Sequence, residues 1–459
     1  MNKRLLSFFI SILLIFGAGF AAFAGNEEIS VYIDGKYLKT DVLPINSDGR
    51  LLAPARAFSE ALGAAVYWDS ELKQITIKKD DINIALHIGS KTAYINKNAF
   101  TLDAAPQSEN GITFLPLRFI VENLGYNVRY NPEKPAVIIS RGDSPVMSMH
   151  FLDVGQGDSI FVILPDGETM LVDGGNSENG KMIANYIRAN SSGSVDYLVA
   201  THPHSDHIGG LPFVIKEIGA KKYYMPGISQ NTQIFQSLIT EINNRNAEIT
   251  TAKAGVTVTE SENFSVKFLA PKRDNYKNIN DFSAVIMITY GNRRFLLTGD
   301  AETVSEKEMV NDRQLDIKAD VLKVGHHGST TSTSPAFLAK VNPSVSVISV
   351  GENNAYNLPD NIILSRLKLY GSEIYRTDIS GTITVFSDGE SLDVKTKTDD
   401  TADKTEAVTP ATTVYVTKSG KKYHLKDCPA IKNSENLSPL SFDEAAKKYS
   451  PCGICKPAA

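Results

Sequence analysis

Apolar residues along this chain change period several times, and each change marks a different unit. Between residues 28 and 140, a block of helical spacing flanked by strand-like alternation occurs twice. "GRLLAPARAFSEALGAAVYWD" (Gly49 to Asp69) returns as "GITFLPLRFIVENLGYNVRYN" (Gly111 to Asn131). Pro54 matches Pro116, Arg56 matches Arg118, Glu60 matches Glu122 and Leu62-Gly63 matches Leu124-Gly125, all at an offset of 62. In each copy a proline opens the helix, apolar residues follow at helical spacing, and a glycine ends the run. Between the copies, "QITIKK" and "INIALHIG" alternate as half-buried strands do. The pattern predicts two copies of a small α+β unit over 28–140.

From 146 to 395 the apolar runs become short and continuous, as in strands buried on both faces. "MSMHFLDVG", "SIFVILP", "TMLVDGG" and "VDYLVATHPH" make one set, with a helical "KMIANYIRAN" among them. "FSVKFLAP", "SAVIMITY", "RRFLLTGD", "ADVLKVGHHGS" and "VSVISVG" make a second. In "SPAFLAKV", Ser334 is suited to cap a helix and Pro335 to its first turn. Two strand-rich halves with interspersed helices predict a layered α/β sandwich. Residues 396–411, "TKTDDTADKTEAVTPA", are almost devoid of apolar side chains and read as a solvated linker. A small unit over 412–459 closes the chain.

The opening residues follow a third pattern. Lys3 and Arg4 precede an apolar run, and Ala22-Phe23-Ala24 offers a small-x-small cleavage point, so 1–24 read as a secretory signal. The competing reading is an uncleaved anchor, because the run approaches the roughly 20 residues that span a bilayer. Composition, 42% hydrophobic and 22% charged, is that of a folded protein. Loss of Lys3 and Arg4 with the leader takes the formal charge from −5 to −7, unlike the basic surface of an indiscriminate nucleic-acid binder. No later segment is apolar enough to cross a membrane, so a secreted or surface-associated protein is expected. All three cysteines follow residue 427, so the first four hundred residues of an exported chain would fold without a disulfide.

Five of the eight histidines fall at the ends of apolar strands, in "THPHSDHIGG" and "VGHHGS". In extended backbone, residues two apart face the same way, so His202 and His204 can approach one ion from the same side. Asp206 and His207, past the turn, can face a second. Asp300 of "LLTGDAE" can bridge the two cations, and a histidine of the "HHGS" pair can complete the second set. Imidazole with carboxylate suits Zn²⁺ and tolerates Mn²⁺ or Fe²⁺. A polar loop that happens to be rich in histidine is the plainer reading of the first cluster, and three strand ends of this kind weigh against it.

"THPHSDHIGG" with a later "TGD" and "GHHGS" resembles the metallo-β-lactamase fold superfamily. "FLDVGQGDS", "LVDGG", "LKVGHHGS" and "YRTDISGTITVFSDG" resemble, more narrowly, its ComEC-like branch. The resemblance covers 146–395 and implies an αββα sandwich with two divalent ions, zinc or manganese, at one edge. It carries over His202, His204, Asp206, His207, Asp300 and His326 as ligands, with His327 competing for the last place. It implies hydrolysis by a metal-bound hydroxide, with Asp206 orienting or deprotonating the water. His327 and Ser329 would then donate to a substrate oxyanion. Asp173 is expected to hold the site together, and Asp158 and Ser159 to lie at the substrate mouth. The branch favours phosphodiesters, as in nucleic acid or a phosphate-containing surface polymer. Two departures stand out. No histidine lies between His207 and His326, leaving a thinner first site, and "YNLP" places Asn357 where related sequences often carry histidine. Competing functions are a surface-binding protein with a residual hydrolase domain and a lactam or lactone hydrolase.

The paired amino-terminal units resemble the copper amine oxidase N-terminal-like domain, which implies no copper chemistry here and suggests attachment to the cell wall or surface. In the tail, His424, Cys428, Cys452 and Cys455 have the spacing of a closed, structural zinc site, a staple that a unit of some 45 residues needs. They resemble the metal-binding domain of the DNA-repair protein Ada. A disulfide with one free thiol is the alternative.

Overall fold

The computed structural model describes residues 29–397 except 48, 132–134 and 143. It then describes 413–452 except 419, 425, 427, 433, 435, 442–444, 446 and 447. The leader segment 1–24, nearly all of the linker and Cys455 lie outside the described residues. The chain divides into two compact units, 1–145 and 146–459. No helix among the described residues is long and apolar enough to cross a membrane.

The first unit keeps the sequence repeat element by element. Strands Ile45–Ser47 and Arg50–Pro54, helix α1 (Ala55–Ala61) and strand Ala65–Asp69 recur as Gln107–Glu109, Ile112–Pro116, α2 (Leu117–Asn123) and Asn127–Asn131. The glycine after each helix has a positive φ, 76° at Gly63 and 84° at Gly125, a conformation that costs glycine nothing. The copies differ in how they finish. The first extends into a five-stranded antiparallel sheet through Thr92–Ile95 and Asn98–Thr101, whereas the second accepts Ser30–Ile33 as a parallel partner of Ala136–Ser140. Phe58 and Ile120 from the two helices, with Leu62 and Leu124 just after them, share one core with both sets of strands.

The second unit opens with an eight-stranded sheet. In chain order its first strands are β1 (Met147–Phe151), β2 (Ile160–Ile163), β3 (Thr169–Val172), β4 (Tyr197–Val199), β5 (Lys222–Met225) and β6 (Ile249–Thr251). A seven-stranded sheet follows: β7 (Thr257–Glu260), β8 (Phe264–Ala270), β9 (Val285–Tyr290), β10 (Arg293–Leu297), β11 (Val321–Lys323), β12 (Val345–Ile348) and β13 (Glu373–Arg376). The chain then returns to the first sheet with β14 (Ile383–Ser387) and β15 (Leu392–Thr396), and β14 pairs with β1. Thr396, assigned to the linker from composition, is therefore the last residue of a strand.

Alternation divides the strand side chains between two layers. Met149, Val162, Val172 and Val199 of one sheet meet Val266, Ile286, Phe295 and Val347 of the other in the inter-sheet core. Residues of the second sheet on the opposite face, such as Leu296 and Leu322, pack against three helices through Met309, Phe337, Leu338, Ile363 and Leu367. Those helices are α7 (Thr303–Asn311), α8 (Pro335–Val341) and α9 (Asn361–Leu369). The first sheet is covered by α3 (Gly180–Asn190), α5 (Leu211–Glu217) and α6 (Gln233–Asn244), with the short α4 (Ser205–Ile208) at its edge. Helix α8 starts as its sequence predicts, with Ser334 Oγ accepting from the Phe337 N–H. The result is the αββα sandwich. Its parallel strands β3, β4, β10 and β11 end on one edge, and every candidate ligand of the middle domain follows one of these ends.

The tail packs within the same unit. Strand Thr413–Thr417 pairs with Lys422–His424 and Leu437–Ser441. Cys428, Ile431 and Cys452 form a small cluster against Ile362 and Leu369 of α9.

Candidate metal centre

Two close backbone approaches build the edge. A Cβ on Gly210 of "HIGG" would lie 2.2 Å from the Gly174 carbonyl of "LVDGG", so the two glycine pairs are the two halves of one contact. A Cβ on Gly157 of "GQGDS" would lie 2.3 Å from the Asp206 carbonyl, which accepts from the Asp158 N–H at 3.1 Å. These contacts pull the loops after β1, β3 and β4 together, and they explain why these motifs are glycine-rich.

Asp300 Oδ2 is the hub. It lies 3.2 Å from His207 Nε2, 3.6 Å from His327 Nε2, 3.8 Å from His202 Nε2 and 3.7 Å from His326 Nε2. Asp206 Oδ2 lies 3.3 Å from His327 Nε2 and 3.8 Å from His207 Nε2. Asp206, His207, Asp300 and His327 thus form one four-donor group, and His202, His204 and Asp300 form an adjoining three-donor group. His202 Nε2 and His204 Nδ1 are 3.0 Å apart. Around a tetrahedral zinc with bonds of about 2.0–2.1 Å, donor atoms lie about 3.3–3.4 Å from one another. The four-donor separations of 3.2–3.8 Å bracket that value.

Each inner imidazole is oriented from behind. His207 Nδ1 donates to Asp173 Oδ2 at 2.8 Å. His327 Nδ1 donates to the Ser349 carbonyl at 2.8 Å. His202 Nδ1 donates to Thr201 Oγ1 at 3.1 Å, and that hydroxyl donates to Asp173 Oδ2 at 2.6 Å. Such partners fix the tautomer that leaves Nε2 free to ligate. His207 Nε2, His327 Nε2 and Asp300 Oδ1 are buried without any hydrogen-bond partner among the described residues, as befits donors aimed at a cation. His326 and His327 both adopt left-handed backbone, φ 49° and 53°, strain that a β-carbon residue accepts only where its surroundings impose it.

The electrostatics agree with that donor set. Burial opposes the charged form of His207, yet the Asp300 and Asp173 carboxylates raise its pKa well above the ordinary histidine value. Burial likewise opposes charge on His327, and Asp300, Asp158 and Asp206 raise it to about 10. Burial, then the charge on His207, holds His202 well below the usual range and keeps it neutral. The carboxylates of this edge require positive charge, which divalent ions supply without protons.

Residues 152–235 and 280–352 match the metallo-beta-lactamase superfamily. The middle domain belongs to that superfamily. Residues 32–139 match the copper amine oxidase N-terminal domain. ComE operon protein 3 of Bacillus subtilis (strain 168) is 30% identical over 249 residues, 50% of this chain and 32% of that protein. Competence protein ComA of Neisseria gonorrhoeae is 30% identical over 237 residues, 50% of this chain and 31% of that protein. The chain thus spans about a third of the length of these curated relatives. Their similarity agrees with the ComEC-like reading of the motifs. Among solved structures, the metallo-beta-lactamase fold protein YhfI from Bacillus subtilis is 14% identical, with 50% of this chain covering 95% of that chain at a TM-score of 0.34.

Within this metallo-beta-lactamase domain, the sequence-based assignments of His326, Asp158 and Ser159 change. His327, not His326, joins the four-donor group; His326 Nδ1 instead lies 3.1 Å from Glu302 Oε1 and 3.0 Å from Thr331 Oγ1, near the surface. Asp158 and Ser159 are buried behind the ligands rather than lining a mouth. Asp158 receives Lys323 Nζ at 2.8 Å, and Ser159 Oγ donates to the Asp173 carbonyl at 3.3 Å. Asn357 is exposed in a left-handed turn, its N–H bonded to the Asn354 carbonyl. Ser329 stays beside His326, its Oγ 3.0 Å from Thr331 Oγ1.

In the tail, His424 Nδ1 lies 3.4 Å from Cys428 Sγ, and Cys428 Sγ lies 3.8 Å from Cys452 Sγ. These two cysteines are unbonded to each other. With Zn–S bonds of about 2.3 Å, sulfurs around a tetrahedral zinc are about 3.8 Å apart.

Proposed function

We propose that the middle domain is a two-metal hydrolase acting on phosphodiester bonds, in a nucleic acid or in a phosphate-containing surface polymer, on an exported protein. One observation carries the reading: unpartnered buried imidazole nitrogens converge on the Asp300 carboxylate at ligand-to-ligand separations. Similarity to a competence protein supports nucleic acid as the substrate class.

Asp206, His207, Asp300 and His327 would hold one ion and His202, His204 and Asp300 the other, zinc or manganese by donor chemistry. When bound, such ions generate a nucleophile from water at neutral pH and offset charge on a phosphoryl oxygen. The chain's own residues do the rest. Asp173 and Ser349 lock His207 and His327 in the ligating tautomer. Asp206, 27% exposed, is the carboxylate that reaches solvent, and it orients the attacking water. His326, steadied by Glu302 and linked through Thr331 to Ser329, donates to the substrate phosphoryl group, the part first given to His327. The tail cluster, completed by Cys455, would hold a structural zinc, and export would follow from the leader segment.

The three-donor first group supports a second reading, a surface-binding protein whose hydrolase domain is residual. Turnover separates the two. Purified protein loaded with zinc or manganese is assayed on an aryl phosphodiester, single-stranded and duplex DNA, and a chromogenic lactam. Hydrolysis of the phosphodiesters supports the first reading. Bound metal without hydrolysis of any ester supports the second, and cleavage of the lactam alone contradicts both.

A further inference from the structure

The amino-terminal unit holds an open pocket of about 430 Å³ that plays no part in the metal chemistry. That volume falls in the range of small-ligand sites, roughly 300–1,000 Å³. Leu51, Leu117 and Phe119 supply apolar floor, while Arg50, Arg118 and Arg129 bring three guanidinium groups to the same cavity. Arg50 Nε lies 3.2 Å from Asp103 Oδ2, and Arg118 Nη1 lies 3.5 Å from Glu122 Oε1. Both pairs are about half exposed or more, so they are held weakly and a ligand can exchange with them.

The internal duplication separates what the fold needs from what the pocket needs. At the offset of 62, Arg118 corresponds to Arg56, which keeps the same pairing with Glu60 at 3.8 Å. Arg50 corresponds to Ile112, however, and Arg129 to Tyr67. The two halves form the same strands and helix with and without these arginines. Arg50 and Arg129 are therefore not required by the local fold, and with Arg118 they line a cavity that also offers apolar surface.

We propose that this pocket binds a short acidic peptide. A free carboxylate is held among Arg50, Arg118 and Arg129, and an aliphatic side chain lies against Leu51, Leu117 and Phe119. Planar guanidinium groups match carboxylates through paired hydrogen bonds. The apolar floor selects a peptide over a glycerol-phosphate chain, which has no comparable body to bury.

The test is calorimetric titration of the full-length protein with Ala-Glu-Ala, with its neutral counterpart Ala-Gln-Ala amide, and with a short glycerol-phosphate oligomer. Ala-Glu-Ala is expected to bind at least about tenfold more tightly than the neutral peptide. That preference weakens when salt is raised from about 50 to about 500 mM. The variant Arg50→Gln/Arg129→Gln, both at exposed positions, is expected to lose at least about tenfold in affinity. Its melting curve and the emission of Trp68 confirm that the unit remains folded. Equal binding of the acidic and neutral peptides, no peptide binding, unchanged affinity in the folded variant, or binding of the glycerol-phosphate oligomer alone would each overturn the proposal.

Discussion

Lys323 is a fully buried lysine at the end of β11, and its replacement by methionine should be among the most damaging single changes in the second unit. Its Nζ lies 2.8 Å from Asp158 Oδ2 and donates to the Val324 carbonyl at 2.9 Å. Asp158 Oδ1 in turn lies 3.4 Å from His327 Nδ1. Methionine fills most of the volume of the lysine stem, so packing changes little and the loss is electrostatic. A buried carboxylate left without its cation costs about 3–5 kcal/mol. Asp158→Asn alone strands the ammonium at a similar cost. The double variant removes both charges, so the single costs should fail to add by at least about 2 kcal/mol. Denaturant unfolding followed by far-UV circular dichroism measures this. Trp68, the only tryptophan, lies in the first unit and reports on that unit separately. The dichroism transition should move while the fluorescence transition stays. Single costs under about 1 kcal/mol, or strictly additive ones, would refute the reasoning.

Other changes test the centre and its surroundings. Asp173→Asn, which removes the carboxylate behind His207 and Thr201, should weaken metal binding about 10- to 100-fold, measured by chelator competition; unchanged affinity would remove Asp173 from that role. His327→Ala should lower bound metal, whereas His326→Ala should keep the metal and lose turnover by about a hundredfold; elemental analysis beside a rate assay tells them apart, and the reverse pattern would restore His326 as ligand. Glu306 of α7 is buried, which pushes its carboxyl up to about 7 from 4.5. The folded state then binds this proton more tightly than the unfolded chain. This group's contribution to stability therefore falls by about 3 kcal/mol as pH rises through that window, and Glu306→Gln should abolish that component. Melting temperatures at about pH 5 and about pH 8 show whether the slope differs between the two proteins.

Much of this molecule can be read from pattern alone, and its strands and repeats show why. The repeat at an offset of 62 reappears as matching elements because both copies carry the same proline, apolar spacing and glycine. The strands of the sandwich are legible because burial on both faces leaves continuous apolar runs. What pattern misses depends on backbone direction. Adjacent histidines in "GHHGS" look interchangeable, and only two successive left-handed residues turn His327 inward and His326 toward Glu302. The loop "GQGDS" reads as polar and exposed, yet Asp158 is buried because a lysine lies across from it. That lysine had a signal, a lone charge inside the apolar run "VLKVG". Such a residue in a buried strand must have a partner.

The central claim, a metal-dependent phosphodiesterase centre built on Asp300, is tested most directly by one reconstitution. Full-length protein is stripped with a chelator, reloaded with zinc or manganese, and assayed on an aryl phosphodiester beside His207→Ala. The account predicts that stripping abolishes hydrolysis, that reloading restores it in the parent protein, and that His207→Ala stays inactive. Hydrolysis that survives stripping, or full activity in His207→Ala, would contradict it.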